Sequence, residues 1–363
     1  MGKIILAKIN KIAILIFSSA KPGGVERRFF RLFRYLKLHK NDVHLIVSEE
    51  TYKYFNDNDK SNITVFKKEK GLFKNTLNIL KIIKIQNIKM IHCAFNPSLL
   101  SVMLGFFSPL YRYKVSISSV AWTKNRKNNF TLIEYLSFQL TFLLVDKIDF
   151  LSPMIYEKQK NIFSFKKDKS LISPCSFTDY NLFVPFVNDA KDIDIVFVSR
   201  LTEGKGIEFM MDALEEIVNR KLNVIICGDG PYREYILQHN ANIIHNIKVE
   251  YVKSSLYYLQ KSKIFLSLQE GNNYPSQSLI EAMACECAVI ASNVGETELL
   301  VKNEVTGFLV SLNSREISKK IIYLLNNENK LNEIGKNAKE FVKSNHTLEI
   351  FAKYFREEIF DDK

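Results

Sequence analysis

The chain has 363 residues, 47% of them hydrophobic and 25% charged, which excludes bulk disorder and a disulfide-stapled miniature and fits two domains with cores of their own. Its net charge of +12 is unevenly placed: residues 1–190 hold 30 Lys and Arg against 14 Asp and Glu, formally +16, and the remainder 21 against 25, formally −4. One half is therefore suited to an anionic surface and the other to different work. Five scattered cysteines in apolar surroundings, with no Cys-x-x-Cys pair, point to a reduced, cytoplasmic protein without a cysteine-based zinc site.

Lys8 and Lys11 break the first apolar stretch, so it reads as a buried strand at 12–17 rather than as a signal peptide. No window has the roughly 20 apolar residues of a transmembrane helix. Further strands are expected at 43–47, 88–92, 114–118 and 147–151, then at 193–198, 223–226, 247–251, 264–268 and 288–291, each followed by a helical pattern. This alternation predicts two doubly wound α/β domains, a basic one over 1–182 and a second over 193–345. Pro185 and a polar stretch without period make 183–192 the expected linker. A last helix over 346–360, within a terminal segment 346–363, could pack back towards the first domain.

The first strand runs into the turn at Gly23 and Gly24, where a backbone free of Cβ atoms can approach a ligand beside a helix N-terminus. The helix that follows aligns Arg27, Arg31 and Arg34 on one face and leaves Phe29, Phe30, Phe33 and Leu36 mostly elsewhere. Basic and apolar groups so arranged suit anionic lipid headgroups. Other basic clusters lie at Lys67, Lys68 and Lys70, at Lys81, Lys84 and Lys89, and at Lys124, Arg126 and Lys127.

In the acidic half, strand 193–198 ends in a glycine-bearing turn carrying Arg200 and Lys205, a planar fork and a point charge able to converge on one diphosphate. The next strand ends in Gly228-Asp229-Gly230, again at a carboxyl end where open α/β sheets bind ligands. Strand 264–268 leads into a polar loop, Glu270 to Ser276, and a helix carrying Leu279, Ile280 and Met283 inward. Glu281, early in that helix, could accept both hydroxyls of a ribose, while loop amides hold phosphate oxygens.

With these segments together, PGGVE at 22–26, VSRLTEGKGIEFMMDAL at 198–214, CGDGP at 227–231, EGNNYPSQSLIEAMACECAVIAS at 270–292 and GETELLVKNEVTGFLV at 295–310, the sequence resembles the retaining, nucleotide-sugar-dependent glycosyltransferases of family 4, which have the GT-B fold. The resemblance implies two Rossmann-like domains facing a central cleft, with Arg200 and Lys205 as the catalytic pair that binds the donor diphosphate and stabilises the leaving phosphate. It implies donor contacts from Gly23, Gly24, Gly228, Asp229, Gly230, Tyr274, Pro275, Ser276 and Gln277, and makes Glu281 the second acid of the family's Glu-x7-Glu motif. The first acid should stand where this chain has Asn273, with Glu270 the other candidate. The histidine that the family often carries after an N-terminal-domain strand has no counterpart in SISSVAWT at 116–123, and His92, on a neighbouring strand, reads as structural.

The activity implied is hexosyl transfer from a nucleotide-diphosphate sugar, a substrate rather than a cofactor, to a lipid-linked saccharide in bacterial-type surface polysaccharide assembly, such as O-antigen or capsule. No metal, no cofactor and no nucleic acid is expected. The membrane-facing residues would be Arg27, Arg31 and Arg34, and the place peripheral, on the inner face of the cytoplasmic membrane. The rival readings are another GT-B-like nucleotide-sugar enzyme, an epimerase or a phosphorylase, and a non-enzymatic protein binding anionic membranes or nucleic acid.

Overall fold

The computed structural model describes residues 11–18, 23–39, 42–55, 60–120, 130–186, 190–240 and 243–361. The basic cluster at Lys124, Arg126 and Lys127, Pro22 of the first glycine turn and the end of SISSVAWT lie outside them. The chain divides into two compact units, Met1–Pro174 with Glu349–Lys363, and Cys175–Leu348.

The first unit holds strands β1 (Ile12–Ile16), β2 (Val43–Ser48), β3 (Ile63–Phe66), β4 (Met90–Cys93), β5 (Lys114–Ser119), β6 (Lys147–Phe150) and β7 (Ser170–Ile172). Between them run α1 (Gly24–Leu38), α2 (Glu49–Tyr52), α3 (Leu72–Ile85), α4 (Leu99–Tyr111), α5 (Leu132–Leu144) and α6 (Pro153–Lys160). The strands form one parallel sheet in the order β3-β2-β1-β4-β5-β6-β7. Strands covered on both faces must be apolar almost continuously, and every residue of IAILI in β1 is buried.

The second unit repeats the scheme with β8 (Ile193–Val198), β9 (Asn223–Cys227), β10 (Asn246–Glu250), β11 (Ser262–Ser267), β12 (Ala288–Ser292) and β13 (Phe308–Val310). Its helices are α7 (Ile207–Glu215), α8 (Arg233–Asn240), α9 (Leu256–Lys261), α10 (Gln277–Ala284), α11 (Ser314–Asn326) and α12 (Glu328–Asn345). The order β10-β9-β8-β11-β12-β13 is again fully parallel. Ile195, Phe197, Leu266 and Ile290 anchor one face against α7 and α11. At roughly 1.5–3 kcal/mol for each large apolar side chain withdrawn from water, such layers dominate the stability of the unit.

The boundary falls at Pro174–Cys175 rather than within 183–192. Residues expected to link are instead packed on the second unit: Phe183 is buried with Phe265 and Ile280, and Gln260 donates to the carbonyl of Val184 at 2.6 Å. Just before them, Tyr180 donates its hydroxyl to the carbonyls of Val342 and His346. After α13 (Leu348–Tyr354) and a π turn, Phe355–Ile359, the terminal segment belongs to the first unit. There Phe355 stands 5.5 Å from the ring of Phe29 on α1 and 4.8 Å from that of His92. All five cysteines are buried and free, and among the described residues no helix is long and apolar enough to cross a membrane.

Candidate functional site

In a doubly wound sheet the ligand crevice forms where the strand order reverses, because the loops leaving two adjacent strands diverge there. In the second unit that point lies between β8 and β11. The turn after β8 carries Arg200 and Lys205, and the loop after β11 begins at Leu268.

These two segments are locked backbone to backbone. Gly206 has φ +73°, and a Cβ there would stand 1.8 Å from the Leu268 carbonyl oxygen, so no larger residue fits. The Glu270 N–H donates to the Gly204 carbonyl at 3.1 Å. Gly228 shows the same intimacy in the next turn, where a Cβ would meet the Ser199 carbonyl at 2.0 Å, and Gly230 abuts the carbonyl of Leu201. The Leu201 N–H donates in turn to the Asp229 carbonyl at 2.9 Å. Glycine is required in these turns to press three loops together, and Asp229 takes part in that packing through its main chain.

On this platform the Lys205 ammonium donates to Gln269 Oε1 at 2.6 Å. Gln269 Nε2 donates to Asn273 Oδ1, Asn273 Nδ2 donates to Ser267 Oγ at 2.7 Å, and the Gln269 carbonyl accepts from Ser292 Oγ at 2.6 Å. Half-burial, and next the positive charge of Arg200, pull the Lys205 pKa below its ordinary value. Arg200 itself is exposed. The result is a cation held by a neutral amide instead of a carboxylate, so its full charge is available to an anion.

Asn273, 2% exposed, sits inside this relay, whereas Glu270 is exposed and reaches the turn only through its backbone. Tyr274 and Ser276 are buried, Pro275 is half-buried and Gln277 is exposed. Glu281 lies in the second turn of α10, later than expected, half-buried and accepting from Gln277 Nε2 at 2.9 Å.

In the first unit the order reverses between β1 and β4. A cavity of about 660 Å³ opens at their carboxyl ends, lined by Phe17, Ser18, Asn96 and Ser98 and walled by Phe130 and Phe138. Lys68 leans over the Phe17 ring, 4.7 Å from its centroid. Gly23 caps α1, its N–H donating to Glu26 Oε2 at 2.9 Å. Neither Gly23 nor Gly24 has a positive φ, and a Cβ on Gly24 would meet open space. These glycines leave room; the backbone does not demand them. Arg27 and Arg34 are exposed and Arg31 half-buried, while Phe29, Phe30, Phe33 and Leu36 point inward.

His92 is fully buried between Ser116 Oγ and Ser118 Oγ, each 3.0 Å away. Burial, and then the charge of Arg28, hold its pKa down to about 3, which makes it a structural neutral imidazole.

Residues 181–341 match the family model described as glycosyl transferases group 1. The match covers less than half of the chain and takes in nearly all of the second unit. Over 173 residues the chain is 29% identical to the uncharacterized glycosyltransferase MJ1069 of Methanocaldococcus jannaschii, a match covering 45% of this chain and 44% of that protein, so it spans less than half the relative's length. It is 23% identical to the capsular polysaccharide biosynthesis glycosyltransferase CapM of Staphylococcus aureus, over 87% of this chain and 89% of that one. Among solved structures, Anabaena Alr3699/HepE in complex with UDP superposes with a TM-score of 0.80 at 16% identity, over 97% of this chain and all of that one. The fold is GT-B.

Within the second unit, sequence reasoning missed Gln269, the residue that tethers Lys205, and Asn272. Asn272 Oδ1 accepts from the N–H groups of Tyr274 and Glu296 at 3.2 and 2.9 Å, turning the loop and pinning it to the segment after β12. The signal was present: a polar residue immediately beyond a buried strand, at a carboxyl end, is where a doubly wound sheet places its ligand contacts.

Proposed function

We propose that this chain transfers a hexose, with retention, from a nucleotide-diphosphate sugar to a saccharide acceptor carried on a lipid. The observation that carries the reading is the Lys205–Gln269–Asn273 relay beside Arg200 at the switch point of the second unit. As the glycosidic bond breaks, the sugar becomes oxocarbenium-like and negative charge grows on the departing diphosphate. Fixed cations aimed at that charge lower the barrier, because they interact more strongly with the transition state than with the ground state. Arg200 offers a planar fork from the surface, and Lys205 offers a point charge already positioned by Gln269. Glu281 would hold the ribose hydroxyls, and Gly228 to Gly230 and the 274–277 loop would enclose the rest of the donor.

The acceptor would enter the first unit's cavity, with Gly23 and Gly24 leaving space at its α1 side. Transfer would proceed without a resident cofactor, the charge of the leaving group being met by Arg200 and Lys205. A capsular enzyme of similar length among the relatives supports a role in surface polysaccharide assembly, and the +16 half supports a peripheral place on an anionic cytoplasmic membrane.

Thermal unfolding across a panel of nucleotide sugars tests the reading, since a ligand that binds only the native state raises its stability. One nucleotide sugar should raise the midpoint and lose that effect in Lys205→Ala. A panel without any shift would refute donor binding.

A further inference from the structure

Helices α4 and α5 break the rule that a surface helix is polar on its outer side. Their sequences, LLSVMLGFFSPLY and LIEYLSFQLTFLL, contain no Lys or Arg, and Glu134 is their only acid. Glu134 is engaged at the start of α5, where its Oε2 accepts from the Thr131 N–H at 3.0 Å. The two helices lie side by side: Ser101 Oγ and Thr141 Oγ1 are 2.8 Å apart, and Gly105 lies so close to Leu144 that an added Cβ would stand 2.8 Å from that residue's own.

Their outward faces carry Phe106 at 66% exposure, Leu110 at 74%, Ile133 at 65% and Leu143 at 56%, with Leu136 and Leu140 between. A contiguous apolar face of this kind marks an interaction surface.

Charge complementarity identifies what covers it. At the carboxyl end of α5 the Lys169 ammonium donates to the carbonyl of Val145 at 2.7 Å, and the exposed Lys166 and Lys167 adjoin it. Exposed Arg112 follows α4, and Lys114 beside it is paired with Asp361 at 3.2 Å. An uncharged apolar strip ending in a cationic rim matches a leaflet of anionic lipid, acyl chains beneath and phosphates beside. Each helix has 13 residues and a length of about 20 Å, short of the roughly 30 Å hydrocarbon core, so both would lie in the interface plane.

We propose that the outer face of α4 and α5 is the surface by which this unit rests on an anionic bilayer. At the amino ends of the same helices Leu99 and Ile133 line the cavity, so the cavity opens where the head of a lipid-linked acceptor would lie; this last point rests on the transferase reading. The arginines of α1 are then not the contact. The chain steps from β1 to β2 in one direction along the sheet and from β4 through β6 in the other, so right-handed crossovers place α1 and α4–α5 on opposite faces.

The test is sedimentation of the full chain with vesicles of phosphatidylcholine and phosphatidylglycerol, and with phosphatidylcholine alone. Three variants are compared: Phe106→Ser with Leu140→Ser and Leu143→Ser, Lys166→Gln with Lys167→Gln, and Arg27→Gln with Arg31→Gln and Arg34→Gln. The serine variant should bind anionic vesicles about tenfold more weakly or worse. The lysine variant should weaken on anionic vesicles alone, and the arginine variant should match wild type. Wild-type binding in the serine variant, or loss confined to the arginine variant, overturns the proposal. So does a wild-type dimer in light scattering that the serine variant dissociates, since a second copy would then cover the face. Thermal response to nucleotide sugars, read in parallel, reports on the transferase reading alone, while the vesicle results decide the surface.

Discussion

Replacing Gln269 by leucine separates the positioning of Lys205 from its charge. Leucine keeps most of the volume and removes both side-chain hydrogen bonds: the one accepted from Lys205 at 2.6 Å and the one donated to Asn273. Lys205 is half-buried and water can replace its partner, but Asn273 is buried, so its Oδ1 is left without that donor. An unsatisfied buried acceptor costs about 1–3 kcal/mol, which in a unit of this size lowers the unfolding midpoint by roughly 2–12 °C. Because the freed ammonium must be ordered again in each catalytic cycle, turnover should fall by about one to two orders of magnitude. Gln269→Glu sharpens the comparison. It still accepts from Lys205 but sets a negative charge against the ammonium, so donor affinity should drop more than stability does. Calorimetry, donor titration and turnover on the three proteins form the assay. A leucine variant with an unchanged midpoint and turnover within about twofold of wild type would refute the reasoning.

Arg200→Ala and Lys205→Ala should each reduce turnover by about two orders of magnitude with an unchanged circular dichroism spectrum; activity within a few-fold of wild type in both would remove them from the mechanism. Glu281→Ala should weaken donor binding, by roughly 1–3 kcal/mol, more than Asn273→Ala does, and isothermal titration checks the order. Gly206→Ala should unfold the 199–206 turn or the whole unit, because its Cβ would stand 1.8 Å from a carbonyl oxygen; a soluble variant with wild-type melting would contradict the packing.

In the first unit, burial raises the Asp149 pKa from 3.8 to about 6, against the pull of Arg28 and of hydrogen bonds from Tyr354 and Ser118. Its stabilising contribution is complete below 3.8 and fades as pH rises through 6. That of His92 is complete above 6.5 and fades as pH falls towards 3. The two oppose each other at intermediate pH, so Asp149→Asn should lose about 2 kcal/mol more than wild type between pH 6.5 and 4; parallel losses in urea titrations would refute the coupling.

The sequence made ten of the strands legible, because a parallel strand buried on both faces writes itself as an apolar run, as IDIVFV in β8 does. The strands it concealed, β3, β7 and β13, are three or four residues long and stand at sheet edges, where one neighbour is missing and the run is too short to show a period. The glycine turn that carries Arg200 and Lys205 shows in the sequence, as does the place of Gln269 just beyond a buried strand. The bond between Lys205 and Gln269 does not, since it comes from contact between two loops far apart in the chain, held by Gly206 against Leu268. The division of the chain was misplaced for a related reason: 183–192 looks like a linker in composition, yet Phe183 is anchored on the second unit by burial and Val184 by the bond it accepts from Gln260. The apolar outer faces of α4 and α5 could not be told from buried ones by sequence, because a helix rich in leucine and phenylalanine shows its exposure only when folded.

A radiolabelled sugar followed from nucleotide to lipid-linked acceptor shows whether Arg200 and Lys205 serve that transfer. The protein is incubated with the nucleotide sugar that stabilises it and with a membrane lipid fraction, and label in the lipid phase is compared with nucleoside diphosphate released. Equal amounts of the two are expected, both abolished by omitting the lipid and both reduced in parallel in Lys205→Ala. Label that remains on the nucleotide as an isomer, or that leaves as a sugar phosphate when inorganic phosphate is added, would contradict it.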